Sequence, residues 1–194
     1  MPENTLILAS SSPFRKELLS RLQLPFDTIS PEIDETRLKD EDARRYVSRL
    51  AREKAAEIAK HHTSAIIIGS DQCAWLNGQI LGKPGSHDNA VSQLQQARGN
   101  EVVFYTGLCV MQSSSGFIEV DCIEYRVGFR QLSDAQIEHY LQVEQPYNCA
   151  GSFKSEGYGI SLFSYMSGDD PTSIIGLPLI RLVAMLEAAG IEVV

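Results

Sequence analysis

The run Ile66-Ile67-Ile68-Gly69-Ser70-Asp71, continued through Asn77-Gly78 to Gly82-Lys83-Pro84, constrains this chain more than any other segment. Three successive β-branched residues read as a buried strand. Asn-Gly is the dipeptide that suits a two-residue hairpin turn, because both positions take positive φ. That turn predicts Leu76 opposite Gln79. Continuing the ladder puts Lys83 opposite Gln72, and Asp71 opposite Pro84, which has no N–H to give. Asp71 and Lys83 are then diagonal neighbours on opposite faces, unless a bulge near Gly82 brings them to one face. A buried strand that ends in a carboxylate and returns with an ammonium is either a structural ion pair or part of an active site. An acid there would orient a water molecule, and the ammonium would neutralise a phosphate.

The remaining elements read from pattern. Thr5–Ser10 is a first strand leading into a helix from about Pro13 to Leu22, and Phe26–Ser30 is a second strand. Pro31–Asp42 is an acidic connection before a long amphipathic helix over about Glu41–His61. A helix over Asp88–Ala97 precedes two β segments, Val102–Gln112 and Phe117–Arg130, joined by a Ser-Ser-Ser-Gly turn. Ser133 caps a further helix, Gly157–Met166 reads as a strand, and "DDPTSIIG" and "LPLIRLVAMLEAAG" read as two closing helices. β-α-β units mixed with hairpins predict an α/β fold on a mixed sheet. At 194 residues, the expectation is a single domain over 1–194, with two lobes around a central cleft as its other form.

Composition excludes several classes. The net charge of −8 makes the average surface repel polyanions, so no nucleic-acid partner is expected and any anionic ligand needs a local cation cluster. Cys73, Cys109, Cys122 and Cys149 are widely separated and have no zinc-site spacing, which suits buried thiols in a reducing compartment. The four histidines show no ligand spacing and read as surface residues. The first residues lack a signal-peptide pattern and no apolar run reaches membrane-spanning length, so a cytoplasmic location is expected.

Four further stretches carry candidate chemistry. In "ASSSPFRKELL" Ser12 caps a helix with Pro13 in its first position, yet Arg15 and Lys16 follow in the first turn, where the dipole disfavours cations. An anion bound there reverses that sign, which makes Ser10, Ser12 and Arg15 phosphate-binding candidates; a surface basic pair is the plainer account. In "PEIDE", Glu32, Asp34 and Glu35 follow a strand and suit Mg²⁺ or Mn²⁺, or else form a solvated acidic loop. Lys54 lies on the apolar stripe of the long helix, four residues before Ile58, and either snorkels or points into an anionic site; Arg44, Arg45, Arg49 and Arg52 read as its solvated flank. "CAGSFKSEGYGI" sets Ser152, Lys154, Ser155 and Glu156 among three glycines, a weak signal for close backbone approach to a ligand.

Seven stretches, "ASSSPFRKELL", "PEIDE", "LAREKA", "GSDQ", "GKP", "AGSFKSEGYG" and "DPTSIIGLPL", stand in the same order as the motifs of the Maf-like nucleotide pyrophosphatases, and this resemblance spans essentially the whole chain. It implies a mixed twisted sheet flanked by helices, related to the inosine-triphosphate pyrophosphatase fold. It also implies metal-dependent cleavage of nucleoside triphosphates to a monophosphate and diphosphate. By position, Ser10, Arg15, Glu32, Lys54, Asp71 and Lys83 match family motif residues: Asp71 as proton acceptor, the basic positions as phosphate ligands, Glu32 as the metal ligand. Lys16 departs from the arginine common at its position and loses bidentate geometry. Phe14, Gln72 and Glu156 match the positions that divide the family by substrate, in a combination resembling the branch that acts on 7-methyl-GTP. The expected partner is therefore a nucleotide, with a homodimer as a possible assembly.

Other readings are set against this one. Arginine in place of Phe14 marks the branch that reads dTTP and UTP. An aspartyl-phosphate phosphatase needs a second acid two residues after its nucleophile, where this chain has Cys73. A regulatory protein without enzymatic activity is the remaining alternative.

Overall fold

Capping side chains set where most of the helices begin. In the computed structural model, which describes residues 5–194, Ser12 Oγ accepts from Arg15 N at 3.4 Å to open α1 (Pro13–Ser20). Asp42 accepts from Arg45 N at 2.7 Å to open α2 (Ala43–Ala59), and Ser86 does the same from Asn89 N for α3 (His87–Ala97). Ser133 and Gln136 form a reciprocal capping box at α4 (Asp134–Glu144). The strands are β1 (Leu6–Ala9), β2 (Phe26–Ile29), β3 (Ile66–Leu76), β4 (Gln79–Leu81), β5 (Glu101–Gln112), β6 (Phe117–Phe129) and β7 (Phe163–Ser167); α5 (Leu179–Ala188) closes the chain. They make one mixed sheet in the order β2-β1-β3-β5-β6-β7, with β4 paired to β3. The long strands β3, β5 and β6 each contribute one part to each of two compact units.

The first unit comprises residues up to Asp71, Thr106–Ile123 and Asp170–Val194. β1 pairs in parallel with β2 on one side and β3 on the other, Leu6 standing beside both Phe26 and Ile66. The step from β1 to β2 and the step from β2 to β3 run in opposite directions across the sheet. Right-handed crossovers therefore put α1 and α2 on opposite faces. Side-chain alternation agrees: Leu6, Leu8, Ile66 and Ile68 pack with α1 and α5, whereas Ile7, Ala9 and Ile67 pack with Ala51, Ala55 and Ile58 of α2.

Two glycines let α2 lie directly on the sheet. A Cβ at Gly69 would stand 2.1 Å from Ala51 O, and one at Gly107 would stand 2.2 Å from Val47 O. In both places the neighbour is helix backbone, which cannot yield as a flexible side chain can.

The segment before α2 is tied down by Arg49. This side chain is not the solvated flank that the sequence suggests: it pairs with the buried Glu41 at 2.7 Å and with Glu53 at 3.0 Å, and donates to Thr36 O. Glu41 Oε2 accepts from Leu38 N at 3.1 Å. Arg44, also expected in solvent, donates to Cys122 O at 2.8 Å. A helix-surface periodicity shows which residues leave the apolar stripe, but not what stands beside them.

The second unit comprises Gln72–Tyr105 and Glu124–Asp169. Its core is a set of edge-to-face rings: Phe153 lies 5.2 Å from Phe104, 5.6 Å from Phe129 and 4.9 Å from Phe163, centroid to centroid. The Asn77-Gly78 turn takes positive φ at both residues (48° and 89°) and sets Leu76↔Gln79, Trp75↔Ile80 and Ala74↔Leu81 in register. Pairing stops at Leu81, so the ladder does not extend to Lys83. Instead Gly82 O and Pro84 O accept from Gln93 and Asn89 of α3. Cys73 is buried and Cys149 half-buried, both as free thiols.

Two other expectations change. Gly157–Met166 is a 3-10 turn over Tyr158–Leu162 followed by β7; Gly159 packs so closely on Lys154 that a Cβ would stand 2.2 Å from its carbonyl oxygen, which turns the chain before it can extend. "DDPTSIIG" is a 3-10 turn over Ser173–Ile175 and not a helix, because Gly176 takes φ 122° and Pro178 follows.

Gly69→Ala is expected to destabilise the protein by about 2–3 kcal/mol in urea unfolding, since the helix must move off the sheet. Gly82→Ala, whose Cβ would meet nothing within 4 Å, is expected to change stability by less than about 1 kcal/mol. A second expectation concerns pH. The hydrogen bonds from Arg49 hold Glu41 below the usual carboxylate range against its burial. A depressed carboxyl pKa stabilises the fold above the unfolded-state value and loses that effect as pH falls through the folded-state value. Glu41→Gln should therefore lower Tm at neutral pH, with a deficit relative to wild type that shrinks on acidification below pH about 4; a constant deficit would show that the charge is not what matters.

Candidate active site

β1 ends at Ala9, beside Gly69 of β3, but β3 does not end in Gly69-Ser70-Asp71 as the sequence suggests: it runs on through Asp71 to Leu76. In open α/β sheets, ligands bind outside the carboxyl ends of strands where the strand order reverses, and the end of β1 is such a point. Ser10 follows β1 and is buried. Its Oγ accepts from Ser12 N at 3.1 Å and takes a long contact from Arg15 Nη1 at 3.5 Å. Arg15 Nε donates to Gly176 O at 2.8 Å, an acceptor shared with Ser70 Oγ at 3.0 Å. Burial lowers the Arg15 pKa from its ordinary value, while the charges of Asp71 and Glu35 raise it, so both carboxylates act on this guanidinium. Ser12 serves as the helix cap. Phe14 is half-buried and Lys16 exposed in the same first turn.

On the α2 face, Lys54 Nζ lies 2.6 Å from Asp71 Oδ1 and 2.8 Å from Glu35 Oε1. The Lys54 side chain is 9% exposed and that of Asp71 11%, so neither charge has bulk water to stabilise it. A buried ammonium persists only when paired, and here it meets two carboxylates. The backbone explains the meeting. Gly69 and Asp71 are two residues apart and face the same side of β3, and Gly69 brings α2 close enough for Lys54, one turn beyond Leu50 and Ala51, to reach the acid. The ammonium does not snorkel.

Four of the residues singled out in sequence, Ser10, Arg15, Lys54 and Asp71, are thus assembled around the end of β1, together with Glu35. Glu32 is exposed beyond β2; the carboxylate of that segment that reaches Lys54 is Glu35. Among the described residues no three His, Cys, Asp or Glu side chains converge as a ready metal cage. Mg²⁺ needs no such cage, taking one or two carboxylates, waters and substrate phosphates. Asp71 and Glu35, whose oxygens already meet at one cation, fit that demand.

The candidates in the second unit stand by themselves. Gln72 is half-buried, and Lys83 and Glu156 are exposed. Ser155 Oγ donates to Glu156 Oε2 at 3.1 Å, and Lys154 pairs with Glu144 at 3.0 Å. Burial pushes the Cys149 thiol up; Lys154 and Lys83 oppose that rise while Glu156 and Glu144 add to it.

Sequence reasoning passed over Ser70, Gly176 and Gly69. A glycine between a triple isoleucine and an acid was the available sign of close backbone approach. The Gly176 carbonyl has no signature in sequence.

A model of the Maf-like protein family matches residues 5–189. A 7-methyl-GTP pyrophosphatase of Albidiferax ferrireducens is 50% identical over 98% of this chain and 96% of its own length. Proteins of the same name from Methylobacillus flagellatus and Pseudomonas savastanoi pv. phaseolicola are 54% and 55% identical, each over 97% of this chain and 98% of the relative. Among solved structures, the Staphylococcus aureus Ham1 protein superposes with a TM-score of 0.57 over 95% of this chain and 99% of that one; at 12% identity this shows the fold alone. That fold is the mixed α/β sheet expected from the sequence. With its motifs in order, its buried Asp71 held by a buried lysine and a family match over almost its whole length, the chain belongs to the Maf-like family.

Proposed function

We propose that this protein hydrolyses 7-methyl-GTP to 7-methyl-GMP and diphosphate, clearing a modified nucleotide from the pool that polymerases draw on. The observation that carries the reading is near full-length similarity to relatives named for this activity, in a chain whose Asp71, inside β3 and just past the level of the β1 end, pairs with Lys54 and acts on the charge of Arg15.

The chemistry follows from these residues. Water attacks the α-phosphorus, the bond from that phosphorus to the oxygen bridging to the β-phosphorus breaks, and diphosphate leaves. Asp71 accepts the proton of the attacking water, its carboxylate oriented by Lys54. Arg15, with the Ser10 hydroxyl beside it, holds phosphate oxygens, and Lys54 offsets charge as it develops. A divalent cation, Mg²⁺ or Mn²⁺, would be held by Asp71 and Glu35, with Glu32 as a further oxygen donor on the same segment, and would supply additional charge for the leaving diphosphate. Lys83 is assigned to the phosphates by its motif.

Base recognition is assigned to Phe14, Gln72 and Glu156. N7-methylation puts a positive charge on the purine, which arginine would repel and an aromatic face attracts. A glutamate accepts from the guanine N1–H and amino group, a match for Glu156. The working compartment under this reading is the cytoplasm; among the described residues no helix is long and apolar enough to cross a membrane.

The test is diphosphate release from 7-methyl-GTP, GTP, dTTP, UTP and CTP with Mg²⁺ or Mn²⁺. A strong preference for 7-methyl-GTP, lost by roughly a hundredfold or more in Asp71→Asn, is the expected result. Preference for dTTP or UTP would overturn the base assignment, and no diphosphate from any substrate would favour a regulatory protein. Phe14→Arg should weaken turnover of 7-methyl-GTP more than that of GTP, by about tenfold in the ratio of kcat/KM values; equal loss on both would remove Phe14 from base recognition.

A further inference from the structure

Asp170 is 3% exposed, lies outside every strand and helix, and has no part in the chemistry above. Its bonds are numerous for one side chain. Oδ1 accepts from Thr172 N at 3.0 Å and Thr172 Oγ1 at 2.6 Å. Oδ2 accepts from Ile180 N at 2.7 Å and, at 3.4 Å, from Arg181 N, two of the unpaired N–H groups at the start of α5. The residue in the capping position there is Pro178, which has no side-chain oxygen, so a carboxylate from earlier in the chain takes that part.

The same segment is closed by Leu179 N donating to Thr172 Oγ1 at 2.8 Å and by Ser173 Oγ donating to Asp170 O at 2.6 Å. Thr106 of β5 donates to Ser173 O at 2.9 Å and pins the segment to the sheet. What this bracing presents is one carbonyl. Gly176, at φ 122°, accepts through its oxygen from Arg15 Nε at 2.8 Å and from Ser70 Oγ at 3.0 Å. A guanidinium is planar, so a bond at Nε fixes the plane and direction of the whole fork.

We infer that Asp170 is a positioning residue for the reaction: it sets the 170–180 segment so that the Gly176 carbonyl orients the Arg15 guanidinium toward the phosphates. The inference rests on the reading of Arg15 as a phosphate ligand. Asn at position 170 keeps the size but turns an N–H₂ toward N–H donors, so the segment must shift and the carbonyl with it. Were Asp170 purely stabilising, its substitution would lower Tm and leave the action of Arg15 alone.

A double-mutant cycle separates the two. The kcat/KM for diphosphate release from 7-methyl-GTP is measured for wild type, Asp170→Asn, Arg15→Ala and the double variant, each shown folded at the assay temperature by circular dichroism. Asp170→Asn is expected to cost at least about tenfold in the wild-type background and less than about threefold once Arg15 is gone. The same loss in both backgrounds would overturn the positioning role while leaving Arg15 as a ligand. Full activity in Arg15→Ala would instead overturn the ligand role, and the positioning role with it. If Asp170→Asn does not fold, Thr172→Val takes its place in the cycle, with a loss of about threefold or more that again vanishes without Arg15; a loss that persists would overturn the inference.

Discussion

A lysine ammonium with almost no access to water has to be met by negative charge, and the first unit is arranged around meeting one. Lys54 sits on the face of α2 that packs against the sheet, where an aliphatic residue would ordinarily stand. Its position is tolerable because Gly69 and Gly107 let the helix backbone down onto β3 and β5, and because the residue two beyond Gly69 is an acid. Remove the glycine and the helix lifts; remove the acid and a buried cation loses its closest partner. Close packing and charge compensation are therefore one constraint. It also fixes the chemistry, since the nearest carboxylate that neutralises Lys54 is Asp71, which stands just past the level of the β1 end.

The opposite face of the sheet shows a second way of placing a charge. Arg15 is held by a backbone carbonyl, that of Gly176, and this acceptor is neutral. A neutral acceptor fixes direction without quenching positive charge, so the guanidinium keeps its capacity to bind an anion. Lys54 and Arg15 thus approach the end of β1 from opposite faces by different means: one clasped by carboxylates, the other steered by a carbonyl.

Most of the fold was legible, because it is written in local signals. Ser12 and Ser133 mark helix starts where an unpaired N–H needs an acceptor, and Asn77-Gly78 sets a hairpin register by its backbone preference alone. The errors fall where long-range contacts decide. Gly157–Met166 has the composition of a strand, but Gly159 sits against Lys154 and the chain turns there; "DDPTSIIG" has proline near its start and glycine at its end as a helix would, but Asp170 and Gly176 confine Ser173–Ile175 to one turn. The site divides in the same way. Arg15 and Lys54 stand out because a cation in a first helical turn, or on an apolar stripe, is locally unfavourable and needs a reason, and Asp71 because an acid follows a run of isoleucines. Glu35 was visible only as one of three acids in a loop. Arg49 and Arg44 looked like solvent-facing cations, and their acceptors, the Glu41 side chain and the Cys122 carbonyl, are not apparent in the residues around them.

The parallel pairing of β1 with β3 bears on how the chain becomes active. Residue 6 must find residue 66 before this pairing exists, whereas β5 and β6 are joined by a turn of four residues and associate locally. Closing the longer loop carries the greater entropic cost, which places β1–β3 pairing late in folding. Ser10 and Asp71 are carried by these two strands. A nascent or partly folded chain can therefore hold most of its helices and its hairpins and still have no assembled site. Catalytic competence in this architecture waits on contacts between distant segments, β1 with β3 and Arg15 with the Gly176 carbonyl, so turnover serves as a report that these have formed.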